Sequence, residues 1–154
     1  MTNTVEVIQA TLDHIEQLAP MFNEYRQFYK QPDNLNGCKE FLTARIERQE
    51  SVAFIAFVDG APSGFIHLYP GFSSVYMKPL WTMNDLYVRS SARRQGVGFA
   101  LLDQAKAMAL ETGAILVKLS TEQRNIAAQK VYESKGYKKD TTFLHYILPL
   151  KENL

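Results

Sequence analysis

The run WTMNDLYVRSSARRQGVGFALLDQAKAM, residues 81–108, constrains the fold more than any other stretch of the chain. It opens on a β-rich segment, WTMNDLYV (81–88), and breaks at a polar RSSARRQ loop. It then passes through Gly96 and Gly98 into an apolar helical stripe of Val97, Leu101, Ala105 and Met108 that Thr112-Gly113 ends. A strand, a glycine-spaced turn and a helix in that order place helix-start N–H groups, which have no partner inside the helix, at the end of a strand. Such a turn suits an anion, because those N–H groups and the positive end of the helix converge on it.

Two common phosphate loops are excluded by residue type. A dinucleotide fingerprint needs a small third residue after Gly96-Val97-Gly98, where the chain has Leu101, and an acid at the end of the next strand, where it has Ser120. A Walker loop needs Gly-Lys-Ser/Thr, a tripeptide that does not occur in the sequence.

The flanking sequence reads as one α/β domain over residues 1–154. VEVIQA (5–10) alternates like a half-buried strand, and a helix follows with Asp13 as N-cap and Ile15, Leu18, Phe22 and Tyr25 on one face, which Pro20 is expected to kink or divide. KQPDNLNG (30–37) reads as a loop before a second helix through Cys38, Phe41, Leu42 and Ile46. SVAFIAFV (51–58) and SGFIHLYP (63–70) flank a DGAP turn and read as a hairpin. After the helix from Gly96, AILVKLS (114–120) reads as a buried strand, Asn125 caps a helix that closes at Gly136, and TTFLHYILPL (141–150) alternates like a final strand.

Bulk properties narrow the function classes. A net charge of +1, from 17 basic and 16 acidic residues, gives no reason to expect a polyanionic partner. A nucleic-acid reading would rest on Arg89, Arg93 and Arg94 alone, so no nucleic-acid partner is predicted. The single Cys38 rules out an internal disulfide, and without a Cys/His cluster no metal is expected. The N-terminal MTNTVEVIQATLDHIEQL lacks a basic region followed by an apolar one, and no long apolar run follows, so a cytoplasmic location without membrane contact is predicted.

Arg93-x-x-Gly96-x-Gly98, set between Leu86-Tyr87-Val88 and a helix, resembles the coenzyme A loop of the GNAT superfamily of acyl-CoA-dependent N-acetyltransferases. Asn125-x-x-Ala128-x-x-x-Tyr132-x-x-x-Gly136-Tyr137 resembles that family's downstream motif in both residue type and spacing. NDLYV, STEQRN and KVYESKGYK are further similar to the histone/polyamine acetyltransferase-like branch. The resemblance implies a GNAT fold, with a mixed, mostly antiparallel sheet splayed at its middle strands and flanked by helices. It implies acetyl-CoA as cosubstrate and acetyl transfer to a primary amine, a small molecule or polyamine before a protein lysine or N-terminus. The different-class alternative is a non-catalytic acyl-CoA sensor or interaction module.

By the same resemblance, the strand Leu86, Tyr87 and Val88 pairs with the pantetheine arm, and the Leu86 N–H polarises the thioester carbonyl. Arg93, Arg94, Gln95, Gly96, Val97, Gly98 and Phe99 hold the pyrophosphate. Tyr132 protonates the leaving sulfur or only packs in its helix; Asn125 contacts pantetheine or only caps its helix. Asp85 relays the amine's proton, binds a cationic substrate or is structural. Glu24, Tyr25, Phe28 and Tyr29, with Asp33 and Glu40 nearby, offer acids and aromatics to a cationic amine or form a solvated helix face over an aromatic core. His14, His67 and His145 lie on different elements and read as packed or surface residues, His67 being the one to watch. Cys38, beside a helix start, is open to a lowered thiol pKa but is not needed by direct attack. The alternation of TTFLHYILPL suits pairing across a two-fold axis and predicts a homodimer.

Overall fold

Asp59 and Gly60 both adopt positive φ, +49° and +83°, which turns the chain tightly between two apolar runs and starts the sheet there. In the computed structural model, which describes residues 3–154, the runs become β2 (Val52–Val58) and β3 (Ala61–Ser73). β1 (Val5–Gln9) joins the outer edge of β2, and β4 (Lys78–Val88) joins the outer edge of β3, all antiparallel. The short β5 (Val117–Lys118) pairs parallel to β4, giving the order β1-β2-β3-β4-β5. This is the mixed, mostly antiparallel sheet that the sequence predicts.

Contacts divide the chain into two compact units, one running to Ser120 and one from Thr121 to Leu154. In the first unit, α1 (Ile15–Phe28) and α2 (Leu35–Glu47) bury Leu18, Met21, Phe22, Cys38 and Leu42 with Ala53, Ile55 and Phe65 of the sheet. α3 (Val97–Glu111) packs on β2, β3 and β4, and its Val97, Leu101, Leu102 and Ala105 are buried. Each large side chain of this kind contributes about 1.5–3 kcal/mol when removed from water. The second unit contains α4 (Ile126–Ser134), capped by Asn125 and closed by Gly136 at φ +94°. Among the described residues, no helix is long and apolar enough to cross a membrane.

Several boundaries differ from the sequence expectation. Pro20 neither divides nor ends α1. The carbonyl it leaves unbonded, four residues back, belongs to the exposed Glu16, where water can satisfy it. Thr11, not Asp13, is the cap, accepting from the Asp13 N–H of a 3-10 turn that precedes α1 while His14 Nδ1 accepts from the Thr11 N–H. α2 begins inside the expected loop because the Asn34 side chain accepts from the Gly37 N–H. The 114–120 strand shrinks to β5, and 141–150 forms no strand at all. An alternating pattern supplies only one partner of a ladder, and the second unit contains no other strand for it to pair with. Phe143, Leu144, Tyr146, Ile147 and Leu148 are consequently exposed.

The feature that positions the site is a bulge in β4. Leu68 faces Met83 and His67 faces Asp85, so Asn84 is an extra residue with no opposite number on β3. Beyond the bulge β3 and β4 run very close together at Gly64, where an added Cβ would lie 2.7 Å from the Tyr87 carbonyl oxygen and 3.0 Å from Val97. Gly64→Ala should therefore lower folding stability by about 1–3 kcal/mol through overpacking against backbone, measured as a reduced urea midpoint with an unchanged m-value.

Candidate active site

Backbone direction defines the open edge of β4. The Arg89 N–H donates to the Ser63 carbonyl at 2.9 Å, so hydrogen-bonded pairs alternate back along the strand and take in Tyr87 and Asp85. Leu86 and Val88 then point their N–H and C=O groups away from β3. β5 meets β4 only at Trp81 and Thr82, leaving residues 83–88 without a β5 partner. The sheet is splayed where the sequence expected it, and Leu86 and Val88 present backbone donors and acceptors to the gap.

The same strand runs into the glycine loop. Ser90–Ala92 makes a 3-10 turn, Arg94 takes φ +62° and Gly96 takes φ +80° as the cap of α3. The first intrahelical bond runs from the Ala100 N–H to the Gly96 carbonyl at 3.0 Å, so the N–H groups of Val97 and Gly98 precede the helical ladder. Val97 is buried and anchors the turn, whereas Arg93, Arg94 and Phe99 are exposed. Above Gly98 the space is open, since an added Cβ would meet only a Val88 methyl at 3.9 Å. Gln95 is already bonded, accepting from Asn3 Nδ2 at 2.5 Å and donating to the Ser91 carbonyl at 3.2 Å. Positive φ at two nearby residues, unladdered N–H groups and two exposed guanidinium groups form a cradle that fits a pyrophosphate.

On the other face of β4, Glu24 of α1 is held by three hydrogen bonds from Arg89, the shortest 2.7 Å, and by the Tyr87 hydroxyl at 3.0 Å. Arg89 also reaches the Pro62 carbonyl at 3.0 Å. Burial pushes the Glu24 carboxyl up, but hydrogen bonds from Arg89 and Tyr87 and the Arg89 charge outweigh it and hold the group below its ordinary value. Burial and Glu24 together raise the Tyr87 phenol. Glu24 therefore carries no unmatched charge for a cationic substrate, and Arg89 is equally committed, which leaves Arg93 and Arg94 as the loop's exposed cations. Tyr25 packs on Tyr87 and Phe65, and Tyr29 and Phe28 continue the aromatic row outward from it.

Asp85 lies on the same face as Tyr87, and the structure ties it to a residue that the sequence left isolated. Asp85 Oδ2 is 2.9 Å from His67 Nδ1, Asp85 Oδ1 accepts from Asn84 at 3.1 Å, and His67 Nε2 is 2.7 Å from Ser51 Oγ. All of Ser51, His67 and Asp85 are buried. Asp33 accepts from Asn23 at 2.7 Å within the α1–α2 loop, and Glu40 is exposed. Cys38 shows the opposite of a lowered pKa, because burial raises its thiol above the ordinary value. In the second unit, Asn125 Oδ1 accepts from the Ala128 N–H at 3.0 Å, which is the capping role, and the Tyr132 ring lies 5.9 Å from that of Tyr137.

Residues 15–137 match the family model of the Acetyltransferase (GNAT) family. The uncharacterized N-acetyltransferase YhfO of Bacillus subtilis is 45% identical over 144 residues, covering 94% of this chain and 97% of that protein. Thialysine N-epsilon-acetyltransferase of Caenorhabditis elegans is 29% identical, covering 86% and 82%. The crystal structure of a probable acetyltransferase superposes with a TM-score of 0.91 at 44% identity, over 96% of this chain and 99% of that one.

The Glu24–Arg89 pair makes a signed prediction. A carboxyl held low in the folded state stabilises the protein above its unfolded pKa, and that contribution is lost as pH falls through its folded value. Glu24→Gln should be less stable than the parent at neutral pH by up to about 1 kcal/mol, since the pair is partly solvent-screened. Urea denaturation across acidic pH should show this difference shrinking and then vanishing below the Glu24 titration.

Proposed function

This chain belongs to the acetyltransferase (GNAT) family, and we propose that it transfers acetyl from acetyl-CoA to the primary amine of a small molecule by direct attack. A polyamine-like cation is favoured over a protein lysine or N-terminus. The observation that carries the reading is the outward backbone of Leu86 and Val88 on an unpaired stretch of β4 that leads directly into the Gly96–Phe99 cradle.

Acetyl-CoA supplies an activated thioester carbonyl, and the chain supplies the rest. The N–H groups of Val97 and Gly98, with the Arg93 and Arg94 side chains, hold the pyrophosphate. Leu86 and Val88 offer one-sided β-pairing to the pantetheine amides. The Leu86 N–H, directed away from β3, donates to the carbonyl oxygen as negative charge develops on it. Tyr132, assigned by its place in the family motif, gives a proton to the departing sulfur, and Asn125 is a pantetheine contact in addition to its cap.

On the acceptor side, Tyr25, Phe28 and Tyr29 provide aromatic faces for a cation, and Glu24 acts by bracing them through Arg89 and Tyr87. Asp85 has both carboxylate oxygens engaged, so the amine's proton leaves to water rather than to Asp85. The thialysine acceptor of the nematode relative supports a small amine. The exposed apolar alternation at 143–148 supports a homodimer in which a second copy covers it; light scattering should return twice the chain mass, and a monomer would overturn this part.

Calorimetry with acetyl-CoA tests the whole reading, and no binding at millimolar ligand would overturn it. Gly98→Leu should retain folding stability within about 0.5 kcal/mol and lose at least roughly tenfold in acetyl-CoA affinity. Tyr132→Phe should bind acetyl-CoA normally and lose roughly 10²-fold or more in kcat. Binding without thiol release across polyamines, amino acids and lysine peptides would instead identify a non-catalytic acyl-CoA sensor.

A further inference from the structure

Three adjacent strands place one polar residue each on the face of the sheet covered by α1. Ser51 stands at the entrance to β2, His67 lies on β3, and Asp85 lies directly opposite His67 on β4. Their atoms connect in one order only: Asp85 Oδ2 to His67 Nδ1 at 2.9 Å, and His67 Nε2 to Ser51 Oγ at 2.7 Å. Relative exposures are 7%, 1% and 8% for Asp85, His67 and Ser51. Asn84 donates to the second oxygen of Asp85, Phe22 packs edge-on against the imidazole and Tyr69 leans on it. An ionised Asp85 takes the Nδ1 proton as its hydrogen-bond donor, which leaves Nε2 as the acceptor for the Ser51 hydroxyl.

We propose that Ser51, His67 and Asp85 form a second catalytic centre, in which Ser51 is a nucleophile for small acyl esters or thioesters. The connectivity is that of a hydroxyl activated by a histidine that a carboxylate orients, an arrangement recognised by geometry and not by chain order. Ser51 also borders a cavity of about 370 Å³ on the α2 side, which Gln9, Thr11, Ile46 and Gln49 help to line. That volume admits a short acyl group beside Ser51. Burying three such polar groups is no better for stability than an apolar trio of the same volume would be, so folding alone gives no reason for this set.

The steps balance. Ser51 Oγ attacks the acyl carbonyl carbon as its proton moves to His67 Nε2; the C–O or C–S bond breaks, and the leaving alkoxide or thiolate takes that proton. The product is an ester on Ser51. Water then attacks this ester with His67 Nε2 again accepting a proton, and the carboxylic acid departs as the proton returns to Ser51 Oγ. One ester and one water give one acid and one alcohol or thiol. No amine and no coenzyme A cradle takes part, so this centre stands or falls independently of amine acetylation.

The test is covalent labelling of the full chain by a fluorophosphonate, followed by intact mass and peptide mapping. One adduct on Ser51 of the parent protein, absent in Ser51→Ala and slowed roughly 10²-fold or more in His67→Gln, is the expected result. Acetyl-CoA binding and thermal melting of the same samples report whether each variant is folded. p-Nitrophenyl acetate turnover should fall in step with labelling while amine acetylation by Ser51→Ala stays at the parent level. A folded parent protein that takes up no probe, or takes it up at another residue, would overturn the proposal.

Discussion

A strand paired on one edge only is the constraint on which this molecule depends. Backbone N–H and C=O groups demand partners, and β4 satisfies that demand toward β3 along its length but toward β5 only at Trp81 and Thr82. The extra residue Asn84 increases the local twist and turns the strand away from its parallel neighbour. Everything proposed for the acyl donor follows from that divergence. Leu86 and Val88 face a gap, the chain leaves β4 at the mouth of the gap, and α3 starts there with its first N–H groups still unladdered. The burial of Val97 under Gly64 keeps the helix start from drifting.

The parts of the fold written in local chemistry were legible in the sequence. Asp59-Gly60 specified a hairpin, Gly96 and Gly113 bracketed α3, and Asn125 and Gly136 bracketed α4, because each is a turn or cap with a residue-level requirement. The glycine turn before α3 was legible for the same reason. What was hidden depends on register. A one-residue bulge decides whether Asp85 faces His67, and nothing near Asn84 in the sequence marks it. Asp85 therefore stayed open in the sequence between proton relay, cation binding and a structural role, and the fold places it against an imidazole.

Long-range pairing hid the rest. Glu24 and Arg89 are 65 residues apart, and nothing in the sequence joins the acid, open to a cationic substrate or a solvated helix face, to the arginine. The fold pairs the two side chains. The TTFLHYILPL alternation failed as a strand because period-two patterning describes a face, while a ladder also needs a neighbour. Pro20 misled in the other direction: its penalty depends on whether the orphaned carbonyl is buried, and Glu16 is at the surface.

The Glu24 bridge has a mechanical meaning as well as an electrostatic one. Through Arg89 and Tyr87 it fastens the C-terminal half of α1 to the end of β4, and through the Pro62 carbonyl to the start of β3 as well. Aromatic wall and splayed strand are thus parts of one stiff frame, and the spacing between them is set before any ligand arrives. Under the acetyl transfer proposed above, a frame of that kind would select by reach: an amine on a chain of the right length would meet the carbonyl, and one a bond or two shorter would stop short of it. Discrimination among acceptors would then work like a ruler rather than a closing hand.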